Sequence, residues 1–380
     1  MDPVAVVGVG MTDIRRDRVE DTYADLVYEA CQKALDDAGM TAADIDVVLT
    51  SSNDFFDGRT ISSMAVMDAC GSYDKNVSTV EGDGTFGAAH AVMRVLAGWG
   101  TCLFCVHHKG SESVMPLITN AMFDPIFERF LGIESIASSA LQARAYMDAF
   151  GVTEEDCARV SVKNHGNAFK NPVAQLPLEI TVEDVMASDY IAEPLKLLDC
   201  SPISDGASAV VIANQERAKG AAKKPVWVKG IGYNCDAFHL GDRDLSKSDA
   251  LVAAAKKAYK DAGINDPPGQ IDLAEVSDAF SYMELMWLEG LGLCGAGEGA
   301  GLTASGKTAL DGALPVNPSG GCISGNPVLV SGLNRIIECV LQVRGDADAH
   351  QVAGVKTAVA QGFNGPCGQS QCVWLLGGDA

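Results

Sequence analysis

The strongest constraint on the fold is an internal repeat. The first copy opens with VAVVGVG at Val4, continues through a helix-like stretch and reaches IDVVLTS; the second opens with VWVKGIG at Val226 and reaches IDLAEVSDAF. The tripeptide Asp-Ala-Gly ends the helix-like stretch in both copies, at 37–39 and 261–263, and its glycine suits a left-handed helix cap. The repeat therefore predicts two similar α/β halves, each built from strand, helix and strand in the same order.

Each copy also contains a glycine-rich turn that enters an apolar helix, at 81–99 and at 320–341. Ligands on layered α/β folds gather where strand ends meet helix starts, so two such helix N-termini, related by an approximate twofold axis, are expected to face one pocket. The alternative is that these glycines only permit close packing of helices. The sequences GVG near Gly8 and GIG near Gly230 lack the third glycine of a dinucleotide fingerprint and are interpreted as turns.

A long insert separates the repeated cores. Residues 113–199 contain helical pieces and are too many for a loop, which predicts a lid or binding subdomain. The chain returns through CSPISDGASAVVIA, whose apolar end predicts a strand that closes the first half. The predicted organisation is a first half at 1–112 and 200–222, the inserted lid at 113–199, and a second half at 223–380.

Charge and composition disfavour several function classes. The 380 residues carry 28 Lys and Arg against 50 Asp and Glu, and the net charge of −22 repels nucleic-acid phosphates. There is no run of about 18 apolar residues and no basic segment ahead of an apolar run near the start, which predicts no membrane span, no signal peptide and a cytoplasmic location. The 12 cysteines lie mostly in apolar text, which favours reduced, buried thiols.

One pair of cysteines has a spacing that superficially resembles that of zinc ligands. Cys102 and Cys105 are separated by two residues and followed by His107 and His108. However, TCLFCVHH is typical of a buried strand, in which residues i and i+3 point to opposite faces. We therefore predict no metal site.

Several further segments are distinctive, and with the repeat they span almost the whole chain: GSES from Gly110, VKNHGNAFKNP from Val162, CSPISDGASAVVI from Cys200, VSDAF from Val276, PSGG with a following G-x-P at 318–327, and GFNGPCG near the C-terminus. Together they resemble the thiolase superfamily, in particular the archaeal and sterol-carrier-type thiolases and the related thiolase-like aldolases. The resemblance implies a five-layered αβαβα fold and a homodimer formed through the first-half core. It also implies an acyl-CoA substrate, coenzyme A as (co)substrate rather than a tightly bound cofactor, and a small zinc-ribbon/OB-fold subunit that completes a heterotetramer.

The resemblance also locates three reactive groups, and all three are replaced in this chain. The nucleophilic cysteine of the family's C-x-S-G falls on Gly84, the histidine of G-H-P on Asn326, and the histidine of the archaeal H-D-C-F on Ser277. Without a thiol at position 84 no acyl-cysteine can form there. The turn is so similar that a cysteine is expected to fit at position 84 without further adjustment, which leaves natural and engineered loss of the nucleophile equally compatible with the sequence.

Asn326 retains a role that an amide can perform. With the backbone N–H groups of the Gly365–Gly368 turn, it can donate to a thioester oxygen and stabilise an enolate, each donor contributing about 3 kcal/mol. Such chemistry needs a general base but no nucleophile. Asp278 is a candidate base and Tyr282 a candidate for protonating or orienting a carbonyl; the alternatives are a structural hydrogen bond for Asp278 and a core position for Tyr282.

Two cysteines are candidates for a surrogate nucleophile. Cys322 stands four residues before Asn326, and Cys367 lies in the C-terminal glycine-rich turn. A small thiol that fills a tight turn is the favoured alternative for both. His107 and His108 follow a strand end that the family places near the pocket, so one of them is expected to form part of its polar wall.

For coenzyme A, the insert carries the best local positive cluster, formed by Lys163, His165 and Lys170. Such charges on a lid suit capture of a diphosphate, and a solvated helix face is the equally weighted alternative. Three further candidates for contact with the CoA thioester lie at the matched strand end and in the C-terminal turn: Phe280, Gly365 and Gly368.

Three functions remain. The first is cleavage or formation of a C–C bond in a β-oxoacyl-CoA by CoA-dependent thiolysis in degradative metabolism, and it is placed slightly ahead because the similarity spans the chain. The second is retro-aldol cleavage of a β-hydroxyacyl-CoA through an enolate, which is consistent with the missing cysteine. The third is a noncatalytic subunit that binds acyl-CoA, which the three replacements together motivate.

Overall fold

Strand and helix alternate in both halves. The computed structural model describes residues 3–379, and its strands are β1 (Val4–Met11), β2 (Val47–Ser51), β3 (Asn76–Val80), β4 (Thr101–Lys109), β5 (Tyr190–Ala192), β6 (Leu195–Lys196), β7 (Asp205–Asn214), β8 (Val226–Cys235), β9 (Leu273–Glu275), β10 (Thr357–Asn364) and β11 (Ser370–Gly377). The helices are α1 (Tyr23–Ala38), α2 (Asp54–Asp57), α3 (Gly84–Leu96), α4 (Met115–Asn120), α5 (Ser135–Phe150), α6 (Glu154–Ala168), α7 (Val182–Ala187), α8 (Gln215–Ala218), α9 (Asp249–Ala262), α10 (Pro267–Gln270), α11 (Ser281–Gly290), α12 (Gly299–Ala304) and α13 (Ser331–Arg344). Within residues 3–379, no helix is both long and apolar enough to cross a bilayer.

The sheet records the duplication. Its strand order is β3-β2-β4-β7-β1 in the first half and β8-β11-β10-β9 in the second, and the halves join through two residue pairs between β1 and β8. In both halves the first strand pairs antiparallel with the last, β1 with β7 and β8 with β11. Strands β2 and β4 run parallel in the first half, and β9 and β10 run parallel in the second. Val316 bridges Ala274 in parallel and occupies the place that β3 has in the first half. The expected pair of similar halves is confirmed.

Five layers result from where the helices pack. Helix α1 covers the outer face of the first-half strands and α9 the outer face of the second-half strands, while α3 and α13 lie between the two sets. Strand β4 shows the alternation behind this arrangement. Cys102 and Phe104 belong to the central core with α3 and α13, whereas Leu103 and Cys105 belong to the core under α1. The five-layered αβαβα fold is confirmed.

The repeated helices end as the sequence indicates. Helix α1 ends at Gly39 with φ of +67° and α9 at Gly263 with φ of +72°, the left-handed conformation expected of both glycines. The two central helices differ. Helix α3 begins directly after the glycine-rich turn, whereas α13 begins eleven residues after Gly320, and the intervening loop contains a short 3-10 turn at Cys322–Ser324.

The glycines of GVG and GIG do not form turns, so that interpretation was wrong. Gly8 and Gly10 lie inside β1 and face α1, while Gly230 and Gly232 lie inside β8 and face α9. A Cβ at any of the four would collide with a carbonyl oxygen of the facing helix. Their function is therefore to let each outer helix approach its sheet closely, in the same way in both halves.

The insert folds as helices and a small hairpin. Helices α5 and α6 are two of the helical pieces expected in the insert, and each is capped at its start, α6 by a capping box between Thr153 and Asp156. Both helices contribute to the core on the outer face of the second half. Strands β5 and β6 pair antiparallel and form the small hairpin. Strand β7 then pairs with β1 and β4 and closes the first half as expected. The proposed domain limits at 112, 199 and 222 stay predictions.

Candidate active site

A cavity of about 250 Å³ lies beside the starts of the two central helices. Most of its wall is apolar, and the bulky side chains that form it come from both halves and from the insert: Phe56, Met115, Met122, Phe123, Phe280, Met283 and Phe363. Polar side chains also line it: Asp83, His108, Thr119, Ser135, Ser139, Ser201, Ser204, Asn326 and Asn364. An apolar chamber with a few convergent polar groups is the usual form of a ligand site.

Asn326 is held in the cavity wall by its neighbours. Its backbone N–H donates to Ser204 Oγ at 2.8 Å, and its side-chain Oδ1 accepts from Ser331 Oγ at 2.5 Å. Its Nδ2 donates to Ser201 Oγ at 2.8 Å, which leaves the second N–H of that amide for another acceptor. The orientation is thereby fixed with the donor end of the amide toward the cavity, as an oxyanion-binding group requires.

The start of α3 presents Asp83, rather than Gly84, to the cavity. Asp83 caps the helix by accepting from Thr85 N at 3.0 Å, and its other oxygen accepts from Gly332 N of α13, also at 3.0 Å. The guanidinium of Arg335 lies 3.7 Å away. This carboxylate therefore joins the N-termini of both central helices, and burial, opposed by Arg335 and these donors, raises its pKa.

Position 84 points away from the cavity, into α13. A Cβ built on Gly84 would lie 2.7 Å from the Cβ of Leu333 and 2.8 Å from its backbone nitrogen. Contacts this short do not occur in folded proteins without movement of the backbone. The expectation that a cysteine would fit at position 84 without adjustment was therefore wrong.

His108 extends the inner face of β4 into the cavity wall. Its neighbour His107 points to the opposite face, where Nε2 lies 3.1 Å from Asp57 and the ring packs edge-on against Tyr23. His108 instead packs edge-on against Phe56, and among the described residues neither ring nitrogen has a hydrogen-bond partner. Burial lowers the pKa of His108 to about 4, so the ring is neutral at pH 7.

The candidate thiols are not arranged as nucleophiles. Cys322 lies outside this cavity, against a smaller one, and accepts from the Arg335 guanidinium at 2.9 Å. Cys367 and Cys200 do line the cavity, but their thiols donate to the carbonyl oxygens of Ser138 and Lys196. Burial raises the pKa of Cys322 and of Cys367 to about 11 and that of Cys200 to about 12. All three are protonated at neutral pH.

Asp278 and Tyr282 hold loops near the cavity and do not line it. Asp278 accepts from the backbone N–H of Cys322 at 2.5 Å and from Asn164 Nδ2 at 2.7 Å, and burial raises its pKa to about 6. The Tyr282 hydroxyl donates to Gln142, whose amide in turn donates to the carbonyl of Cys367. Asp278 thus fixes the loop that carries Asn326, and Tyr282 fixes the C-terminal turn, which agrees with the structural alternative given for each.

The residues proposed for coenzyme A are dispersed. Lys163, whose side chain is half-buried, pairs with Glu284 at 2.9 Å and donates to the carbonyl of Val316, and buried His165 bonds the carbonyl of Leu176 at 2.8 Å. Lys170 is exposed. The expected positive cluster on the lid is therefore not formed, because two of its members are used inside the protein. Of the other three candidates, Phe280 and Gly365 line the cavity and Gly368 does not.

Sequence reasoning missed two features of the site. Asp83 was not among the predicted site residues, although an aspartate before a helical run is a recognised N-cap signal. The amide of Asn364, at the end of β10, accepts from the backbone N–H of Asp83 at 2.7 Å and fixes that turn, and nothing in the sequence indicated this contact across 281 residues.

A group of three buried thiols, those of Cys31, Cys70 and Cys105, lies under α1 on the opposite face of the sheet from the cavity.

Comparison with known proteins identifies the relatives of this chain. The thiolase N-terminal domain model matches residues 127–216, and the thiolase C-terminal domain-like model matches residues 232–378. The acetyl-CoA acetyltransferase of Methanothermobacter thermautotrophicus is 36% identical over 97% of this chain and 98% of its own length. The chain belongs to the thiolase family. The resemblance read from the sequence is confirmed, and the protein is an acyl-CoA enzyme of this family.

Relatives with lyase chemistry also match this thiolase-family chain over nearly its full length. The 17-hydroxy-3-oxo-4-pregnene-20-carboxyl-CoA lyase of Mycobacterium tuberculosis is 30% identical over 93% of this chain and 94% of its own. The solved structure of the Ltp2-ChsH2(DUF35) aldolase has a TM-score of 0.85 and 27% identity, and the match covers 99% of this chain and 97% of that one. The relatives thus include both a transferase and lyases.

Proposed function

We propose that this enzyme cleaves the Cα–Cβ bond of a β-hydroxyacyl-CoA by a retro-aldol reaction. The observation that carries the proposal is the direction of position 84, which faces Leu333 while the donor end of the Asn326 amide faces the cavity. Thiolysis through an acyl-enzyme needs a thiolate, and the two cavity thiols hold their protons and donate them to backbone carbonyls. The order of the two leading hypotheses from the sequence is therefore reversed.

The reaction is balanced without a second substrate. A base takes the proton of the β-hydroxyl, the oxygen electrons form a carbonyl, and the Cα–Cβ bond breaks. Its electron pair forms a thioester enolate, whose oxygen accepts a hydrogen bond from Asn326 Nδ2. A proton then returns to Cα and gives a shortened acyl-CoA and a free ketone or aldehyde. Because the donor is fixed in advance by Ser201 and Ser331, it needs little reorganisation when charge develops.

The lining supports a bulky, apolar acyl group. Phenylalanine and methionine side chains form most of the wall, and methionine adapts to irregular apolar shapes. A substrate whose carbonyl product is large and hydrophobic therefore buries more apolar area than a short-chain one, at about 25 cal/mol per Å². Within degradative metabolism, we propose branched or cyclic β-hydroxyacyl-CoA thioesters as the substrate class, since a retro-aldol step needs no β-oxo group.

We also propose that a small zinc-ribbon/OB-fold subunit covers the segment at 114–131. One side of this segment lines the cavity, whereas its other side chains are more than half exposed although apolar: Val114, Leu117, Ile126, Phe127, Phe130 and Leu131. Apolar exposure of this extent marks an interaction surface, and the Ltp2-ChsH2(DUF35) aldolase is named as an assembly of two different chains. Co-purification of the subunit with wild type, lost in Phe127→Asp/Phe130→Asp, tests this pairing.

The homodimer is proposed to form at the edge strand β3. This strand is the end of the sheet order, and the apolar side chains of Val77 and of nearby Tyr73 and Trp99 are exposed. An unpaired edge flanked by apolar side chains is a template for pairing with a second copy. Light scattering should give twice the chain mass for wild type and a monomer for Val77→Asp; a wild-type monomer would contradict the proposal.

The experiment that tests the reaction compares matched substrates. The chain, alone and with the zinc-ribbon subunit, is incubated with one β-hydroxyacyl-CoA and the corresponding β-oxoacyl-CoA, with and without free CoA. Retro-aldol cleavage releases a carbonyl compound from the hydroxy substrate without added CoA. Release of two thioesters only when CoA is present would instead establish thiolysis. Tight binding of both substrates without turnover would establish the acyl-CoA-binding scaffold.

A further inference from the structure

We propose that His108 is the catalytic residue that removes the proton from the β-hydroxyl group of the substrate, an inference that rests on the proposed function. The starting observation is energetic. The side chain is 1% exposed, lines the cavity, and has two ring nitrogens without partners among the described residues. Leaving a buried polar atom unpaired is energetically costly, so such a group calls for an explanation.

The wall around His108 shows where its missing partner must come from. On one side the ring packs against Phe56 at a centroid distance of 5.1 Å, and Gly110 closes the strand end. On β4 the residues before it on the same face, Phe104 and Val106, belong to the apolar core. The remaining direction is the cavity itself, where a ligand hydroxyl can pair with the ring.

The equivalent position in the second half supports this argument. Cys102 pairs with Val47 and Ala358 pairs with Leu273 at corresponding points of the two sheets, and counting on along β4 and β10 makes His108 equivalent to Asn364. Both side chains line the cavity. Asn364 has an internal task, since it accepts from the Asp83 N–H, whereas His108 has none. The hydrogen bond to Asp83 therefore accounts for the Asn364 side chain, whereas no internal contact among the described residues accounts for the two ring nitrogens of His108.

The protonation state of His108 suits a base. The ring is neutral at pH 7 because burial lowers its pKa to about 4, and the charged or titratable groups that act on it are Asp57, His107 and Asp205. A neutral imidazole offers a lone pair to the β-hydroxyl proton. As the Cα–Cβ bond breaks, the imidazolium forms beside the negative enolate oxygen held by Asn326, and the same proton can return to Cα. No other acid, base or cofactor enters the balance.

Two variants separate catalysis from structure. His108→Phe keeps the shape of a ring and removes both unpaired nitrogens, so its thermal midpoint is expected to equal or exceed that of wild type. Its kcat for the β-hydroxyacyl-CoA is expected to fall about 10²- to 10⁴-fold, the usual contribution of a general base. His108→Gln keeps a hydrogen-bonding side chain that cannot carry the proton, so kcat should fall similarly while KM changes little. His90→Gln, an exposed histidine on α3 outside the cavity, is the control and should match wild type.

Retention of kcat within about fivefold in His108→Phe would overturn the assignment, as would unfolding of both variants beside a stable His90→Gln. If wild type cleaves no β-hydroxyacyl-CoA, the proposed function fails by itself, and binding then decides the role of His108. Wild type should bind a β-hydroxyacyl-CoA about tenfold more tightly than its deoxy analogue, and His108→Phe should lose that preference. Equal preference in both proteins would reject contact between His108 and the hydroxyl.

Discussion

The two halves of the molecule bring different chemistry to the same cavity. The first half supplies titratable groups, Asp83 at the start of α3 and His108 at the end of β4, whereas the second half supplies the amides of Asn326 and Asn364. The backbone that positions them is duplicated in strand order, pairing and helix placement. The duplicated backbone therefore sets where the side chains point, and the residues at those positions differ between the halves. Those of the first half can transfer protons, and those of the second half can donate hydrogen bonds to a substrate oxygen.

The helix starts show the same contrast. At α3 the positive end is occupied by Asp83, which also accepts from α13 through Gly332. A thiolate at this point would have to share the field of both helix ends with a carboxylate already there. In the loop before α13, Asn326 keeps a donor toward the cavity. Asp83 thus occupies both helix starts, and the donor that remains for a substrate is the Asn326 amide in the loop before α13.

Removing the amide in the second half should reduce turnover to an extent comparable with the loss of His108. In Asn326→Ala the enolate oxygen loses its side-chain donor, and kcat is expected to fall about 10²- to 10³-fold, equivalent to about 3–4 kcal/mol. Steady-state kinetics with the β-hydroxyacyl-CoA measure this. KM should stay within a few-fold of wild type because the thioester gains charge only in the transition state. A fall in kcat of less than tenfold would show that the second half does not stabilise the enolate through Asn326.

The titratable half should make stability depend on pH. His108 has a folded-state pKa of about 4 against 6.5 in the unfolded chain, so the folded state binds fewer protons between these values. Wild type is thus expected to lose about 3 kcal/mol relative to His108→Phe as the pH falls from 7 to 4. Urea unfolding of both proteins at the two pH values measures the difference. A constant offset between wild type and His108→Phe at the two pH values would contradict burial of a neutral ring.

Restoring the family's cysteine sharpens the contrast between the helix starts. Gly84→Cys places a side chain against Leu333, so the free energy of unfolding is expected to fall by about 1–3 kcal/mol without any gain of thiolysis. Thermal unfolding and the CoA-dependent assay measure the two effects. Gly166→Ala is the matched control, because a Cβ on this helical glycine meets open space and should stabilise slightly. Appearance of CoA-dependent cleavage would mean that position 84 reaches the cavity after all.

The smallest effect is expected at the cavity thiol of the second half. In Cys367→Ser the hydroxyl can still donate to the Ser138 carbonyl, and kcat should remain within about threefold of wild type. Iodoacetamide should label exposed Cys235, observed by mass spectrometry, without loss of activity. Inactivation that Cys367→Ser prevents would give this turn a nucleophile and place thiolysis first again.

The sequence was sufficient for the fold because the fold depends on local patterns that occur twice. The Asp-Ala-Gly helix ends, the buried strand TCLFCVHH and the glycine-rich turn before α3 all formed as predicted. The interpretation of Gly8 and Gly230 failed because a turn glycine and a packing glycine look alike until the facing helix is known. The homodimer, the zinc-ribbon subunit and the cytoplasmic location stay predictions.

The site was harder to predict because its geometry depends on contacts distant in sequence. Whether Lys163 is a surface charge depends on Glu284, more than 100 residues away, and the sequence alone gives no sign of that ion pair. Likewise Asp83 faces the cavity and its neighbour Gly84 faces α13. Only the contact between position 84 and Leu333 on that helix shows which of the two faces inward. Asn326 was expected to face the pocket and lines it. Cys367 lines it too, although a thiol that fills a tight turn was the favoured interpretation.

The four glycines that press α1 and α9 onto their strands have a consequence for comparing distant sequences. The collision that excludes a side chain there is with main-chain oxygen, so it does not depend on which reaction the cavity carries out. Gly8 and Gly10 stand the same distance apart as Gly230 and Gly232, and each pair marks the same point of its half. They can serve as reference points for superposing the halves of a chain whose reactive residues have all been exchanged.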